Sequence, residues 1–152
     1  PNVAVNVGEG MIALSANDKA TKEDKDFTIS LLSSIARVDE IDENLMNAVT
    51  IISGSGPAFI AMFVEALAYG CVRVGMPRDK AYIYAAQTLI GTGKMMLEKG
   101  LHPGKIKDLV SSPRGVAIEG VYELEKMGFR NILIETVEAC NKKMNQITKA
   151  GN

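Results

Sequence analysis

Few side chains in this sequence are equipped for chemistry. There is one histidine, His102, and two cysteines, Cys71 and Cys140. The cysteines form no CxxC pair, and one imidazole cannot complete a zinc site of usual spacing, so no metal site is expected. Widely separated thiols in helical surroundings read as free thiols of a reducing compartment. The acidic run Asp39-Glu40-Ile41-Asp42-Glu43 suits the start of a helix, where carboxylates oppose the positive end of the dipole. The string Gly54-Ser55-Gly56-Pro57 resembles a phosphate cradle only superficially. It lacks GxGxxG spacing, follows no strand and has no lysine at P-loop distance. A sharp bend between two helices accounts for it better. Ser112-Pro113, followed by Arg114 and Gly115, carries the ordinary signature of a helix start.

The elements that must hold these residues are mostly helical. Residues 3–16 read as extended, with Val3, Val5 and Val7 alternating, Gly8 and Gly10 as punctuation, and an apolar run from Met11 to Leu14. After Asn17 the spacing predicts helices over 21–36, 43–53, 57–74, 78–98, 104–110, 116–127 and 129–147. The 57–74 segment is apolar around its whole circumference, apart from Glu65 and Arg73. Such a helix must be surrounded by protein or by lipid. The breaks expected at Gly54, Gly56 and Pro57 leave it short of the ~20 residues a bilayer requires, so a central core helix is expected and no membrane partner. Two apolar helices in so short a chain leave surface that one copy cannot cover. The expectation is an all-α fold, a helical bundle of an intertwined dimer joined through 57–74 and 78–98, with a short N-terminal extended segment.

The composition agrees. The chain has 152 residues, 47% of them hydrophobic and 23% charged, with 17 basic against 18 acidic side chains. Those values fit a folded domain, and the absence of a basic excess argues against nucleic acid as a partner. A compact globule of 16.3 kDa exposes roughly 7,500 Å² and buries about 68–70% of its unfolded surface, which leaves room for a substantial core. No basic segment followed by an apolar stretch marks a secretory signal, and a cytoplasmic location is expected. The start at Pro1 rather than Met suggests a fragment, or a processed or trimmed product.

Several phrases, in order and at matching distances, resemble one family. They are AVTIISGSGPA (48–58), GMPRD (75–79), AAQT (85–88), HPGKIKD (102–108), VSSP (110–113), and GFR (128–130) followed by VEA (137–139). They are similar to the C-terminal domain of pyrroline-5-carboxylate reductase. Pro1-Asn2 and VGEG (7–10) resemble the last strands of that family's dinucleotide-binding domain, and the resemblance covers roughly residues 1–147. It implies two parts: residues 1–17 as a remnant of the dinucleotide-binding domain, and 18–152 as the helical dimerisation and substrate-binding domain. It implies an enzyme that reduces a cyclic imine, 1-pyrroline-5-carboxylate, to L-proline with NADPH or NADH. The partners implied are that small molecule and further copies of the same chain, a homodimer or a larger homo-oligomer. By the same resemblance the loop from Ser111 to Ala117 forms the substrate pocket, with Ser112, Arg114, Gly115, Val116 and Ala117 as binding positions. Free N–H groups at a helix start suit the substrate carboxylate. Asn2 matches a position close to the nicotinamide. No catalytic side chain is implied within the chain.

The sequence also departs from the family. The usual loop ends in Gly-Gly-Thr-Thr or Gly-Gly-Ala-Thr, whereas here it reads Arg114-Gly115-Val116-Ala117. Ala117 has no hydroxyl with which to reach the ring nitrogen, and Arg114 replaces backbone freedom with a five-donor cation. Arg114 is read either as a new carboxylate ligand or as an exposed surface arginine. Pro1-Asn2-Val3-Ala4 stands where the family has Pro-Asn-Thr-Pro. No strand followed by GxGxxG occurs, so these residues are not expected to bind a dinucleotide or to be active alone. The alternatives are a non-catalytic oligomerisation module and a paralogue with a different imine substrate.

Overall fold

The structure is a computed structural model that describes residues 1–150. It divides into two compact units, one comprising Pro1–Phe59 with the chain from Glu135 onward, the other Ile60–Ile134.

In the first unit two short strands, β1 (Gly10–Leu14) and β2 (Ala36–Glu40), flank helix α1 (Lys22–Leu32). The strands pair in parallel, in register from Gly10 opposite Ala36 to Leu14 opposite Glu40. β2 begins at Ala36, the last residue of the helix expected over 21–36, and takes in Asp39 and Glu40, which therefore do not cap a helix, while the next helical run begins at Glu43 as expected. Glu40 instead binds the Lys25 ammonium of α1 at 2.7 Å. The strand reads poorly in sequence because its neighbours bury only Ala36, and four of its five residues are polar or partly exposed. α1 begins in a reciprocal cap: Asp24 N–H donates to Thr21 Oγ1 at 3.1 Å and Thr21 N–H to Asp24 Oδ2 at 2.9 Å.

Val3–Val7 is also not extended. It forms a 3-10 turn closed by Gly8 in the left-handed conformation at φ 75°. Asn2 anchors the turn to β1, its N–H donating to the Met11 carbonyl at 3.2 Å and its Oδ1 accepting from Met11 N–H at 3.1 Å. The turn then folds Val5 against Gly10, where any Cβ would strike the Val5 side chain. Alternation of valines in sequence cannot distinguish this coil from a strand.

The expected break at Gly54–Pro57 is absent. A short helix α2 (Met46–Val49) runs through a π-helical stretch, Thr50–Ser55, into α3 (Gly56–Arg73), giving an unbroken helical run of 31 residues, Glu43–Arg73. Pro57 has no N–H, and its ring opposes the carbonyl four residues back. The wider π turn accommodates that carbonyl, so the helical run continues through Pro57. Contrary to expectation, the run is therefore long and apolar enough to span a bilayer.

The second unit holds most of α3, then α4 (Arg78–Lys99), α5 (Pro103–Val110), α6 (Val116–Lys126) and the beginning of α7 (Phe129–Ala150). These bounds fall within three residues of those expected. Tyr69 joins α3 to α4: Tyr82 meets it edge-on with centroids 6.4 Å apart, and the Arg78 guanidinium lies 5.0 Å above its ring. Its hydroxyl donates to Glu65 at 3.1 Å, so the one acidic residue of α3 has a polar partner. Phe63 and Phe129 pack at 6.0 Å between centroids.

The substantial core expected from chain length is not found. Ile12, Ala36, Ile51, Ala68, Ala81 and Ile106 are the buried apolar residues among those described. On α4, Ile83 (67% exposed), Ile90 (50%) and Leu97 (67%) recur at seven-residue intervals along one uncovered stripe.

Candidate functional site

The candidate site is the loop between α5 and α6. α5 is fixed at both ends. His102 caps its start, Nδ1 accepting from Gly104 N–H at 3.1 Å, with Pro103 in the first turn. Ile106 is buried and holds the helix against the unit. At the far end Ser111 N–H donates to the Asp108 carbonyl at 3.3 Å. The Lys107 ammonium bonded to Asp108 holds that carboxyl below its ordinary range, so the last turn carries a closed ion pair.

The chain then reverses within five residues. Gly115 N–H donates to the Ser112 carbonyl at 2.9 Å, closing a turn over Pro113 and Arg114. Arg114 has φ 60° and is the only non-glycine in the left-handed region among the described residues, at a cost of about 1 kcal/mol or more. Its side chain is exposed. A Cβ on Gly115 would lie 2.5 Å from Ser112 Oγ and 3.0 Å from the Ser112 carbonyl oxygen, so a side chain there would have to turn the Ser112 hydroxyl away and crowd its carbonyl. Gly115 is also the N-cap of α6 and offers no side-chain acceptor to the helix. The first N–H groups of α6, beginning at Val116 and Ala117, are left for solvent or a ligand. Val116 itself is 92% exposed.

Five of the six residues singled out from sequence, Ser112, Arg114, Gly115, Val116 and Ala117, thus form one turn and one helix start. The arrangement is chemically suited to an anion: uncapped N–H donors, the positive end of the α6 dipole and an adjacent guanidinium. The sixth, Asn2, belongs to the first unit. Its Oδ1 accepts from Met11 N–H. The sequence marks Ser111 only as the start of the loop. Its Oγ is shielded from solvent and has no hydrogen-bond partner, a condition that costs about 1–3 kcal/mol. No pattern of residue types signals an unpaired hydroxyl.

Comparison with known proteins places these features in context. The family model described as pyrroline-5-carboxylate reductase dimerisation matches residues 43–147. A pyrroline-5-carboxylate reductase of Synechocystis sp. is 44% identical over 149 residues, covering 98% of this chain and 56% of the relative. That of Escherichia coli is 40% identical over 150 residues, covering 99% and 56%. The chain therefore spans just over half the length of the curated relatives it matches. Among solved structures, the Plasmodium falciparum pyrroline carboxylate reductase with NADP bound superposes with a TM-score of 0.85 at 32% identity, over 94% of this chain and 58% of that one. A pyrroline-5-carboxylate reductase from Coxiella burnetii gives 0.90 at 26% identity, over 96% and 54%.

Proposed function

Because the chain belongs to the pyrroline-5-carboxylate reductase dimerisation family, we propose that it is the substrate-holding and subunit-joining part of an enzyme that reduces 1-pyrroline-5-carboxylate to L-proline. The observation that carries this reading is the uncapped start of α6 at the end of the Ser112–Gly115 turn. The substrate carboxylate sits on the N–H groups of Val116 and Ala117, with the Arg114 guanidinium alongside. Gly115 keeps the turn tight enough for Ser112 to border the same space. These contacts orient the ring and leave its C=N bond open to attack.

A reduced nicotinamide, when bound, supplies the hydride that adds to the imine carbon, while the nitrogen takes a proton from water. Within this chain the one contact offered to it is the Asn2 side-chain NH₂, and a strand–GxGxxG–helix unit is not part of these 152 residues. The dinucleotide is accordingly held by another domain. The choice between NADPH and NADH lies there too, and the 152 residues by themselves are inactive.

The exposed stripe Ile83, Ile90, Leu97 and the uncovered length of α3 are covered by a second copy rather than by lipid. The family's description as a dimerisation domain supports this reading. The free thiols Cys71 and Cys140 suit a cytoplasmic location.

Assaying the full-length protein with 1-pyrroline-5-carboxylate and NADPH or NADH tests the proposal, with nicotinamide oxidation and proline formation rising together. A folded full-length protein that forms no proline overturns it. Turnover of another cyclic imine alone would favour the paralogue reading, to which the missing hydroxyl at Ala117 lends weight.

A further inference from the structure

Two local anomalies, each unique among the described residues, fall within the same five-residue loop. Ser111 Oγ is the one side-chain polar atom shielded from solvent without a partner, and Arg114 is the one non-glycine at positive φ. Neither stabilises the loop. Replacing Ser111 by an apolar residue would remove the unpaired hydroxyl, and glycine at 114 would remove the left-handed strain. Backbone strain and orphaned polar groups that persist together mark places where a second arrangement matters. Elsewhere the loop is well made: Ser111 N–H and Gly115 N–H both have carbonyl partners.

We propose that Ser111 is a specificity-determining residue of the substrate loop, its hydroxyl turning to donate a hydrogen bond to the substrate carboxylate when Arg114 leaves the left-handed conformation. This inference rests on the reading of the loop given above. Ser111 stands at the C-terminal end of α5 and opens the turn that delivers the α6 N-terminus. A movement of Arg114 about its own backbone shifts the turn relative to Ser111 and uncovers the hydroxyl. The carboxylate then gains a charge-assisted donor from the α5 side of the loop, complementing the N–H groups on the α6 side. Binding exchanges two unfavourable features for one new bond, so the loop discriminates in favour of ligands that present an anion at that point.

The test uses the full-length protein with 1-pyrroline-5-carboxylate as substrate. Ser111→Ala is expected to raise KM about tenfold with kcat within twofold, while the melting temperature without substrate stays level or rises. Ser111→Thr, which keeps the hydroxyl, restores KM, and Ser111→Cys, a weak donor, does not. An unchanged KM in Ser111→Ala, or a lowered melting temperature with KM unaltered, assigns the hydroxyl to the fold and overturns the inference while leaving the enzyme reading intact. A wild-type protein unable to reduce the imine overturns both.

Discussion

Gly115 and Ser112 are locked together: a single methyl group on residue 115 would come within 2.5 Å of the Ser112 hydroxyl and 3.0 Å of its carbonyl oxygen. The same carbonyl accepts the Gly115 N–H at 2.9 Å, so the turn cannot open slightly to admit a side chain without losing the bond that closes it. Gly115→Ala is therefore expected to displace the start of α6. The loss of stability should be about 1–3 kcal/mol, and KM for the imine in the full-length enzyme should rise at least tenfold. Normal kinetics in a Gly115→Ala enzyme would remove the loop from the site.

Arg114 tests the electrostatic side of the same loop. Arg114→Ala keeps a Cβ at the left-handed position and deletes only the guanidinium. A charge-assisted hydrogen bond contributes about 1.5–3 kcal/mol, so kcat/KM should fall roughly ten- to hundredfold. An unaltered value means that the arginine points into solvent.

His102 is a cap, and its replacement should behave as one. His102→Ala removes the acceptor for Gly104 N–H and should cost about 1 kcal/mol in chemical denaturation, whereas His102→Asn, a good N-cap, should cost less. Equal losses for both substitutions would point to a role beyond the cap.

The capping box of α1 gives a pH dependence with a definite sign. Hydrogen bonds from the Thr21 backbone and side chain lower the Asp24 pKa in the folded chain. A depressed carboxylate stabilises the fold above its unfolded value of about 4 and loses that contribution as pH falls through the lower folded value. Protection of the Thr21 amide against hydrogen exchange should therefore decline only in that acidic window. Thr21→Ala removes the side-chain donor and keeps the larger backbone contribution, so it should shift the Asp24 titration only part of the way back toward the ordinary range, and a full return would contradict the assignment.

The stripe on α4 predicts assembly. Placing a charge at its centre, Ile90→Glu, should dissociate the full-length oligomer in sedimentation, since a buried unpaired carboxylate at an interface is strongly unfavourable. The same change on the far side of the helix, such as at the exposed Thr88 (Thr88→Glu), should leave assembly intact. Persistence of the wild-type sedimentation coefficient in Ile90→Glu would show that Ile83, Ile90 and Leu97 face something other than a second copy.

Much of this molecule is legible from residue order. Helix limits from α3 to α7 follow from glycine and proline punctuation around apolar runs, because Gly75, Gly100 and Gly128 adopt positive φ and end helices through local backbone geometry alone. The α5–α6 loop could be located in the same way. Other features depend on contacts distant in sequence. β2 exists because Ala36 finds Gly10 across the sheet, and the Val3–Val7 turn exists because Asn2 grips Met11. Neither pairing is written in the local pattern. The continuity through Pro57 depends on a π turn that relieves one clash, a matter of hydrogen-bond register rather than composition. The unpaired Ser111 hydroxyl and the left-handed Arg114 became visible only in three dimensions. Residue types state which groups are present, and the tertiary structure alone decides which of them are satisfied.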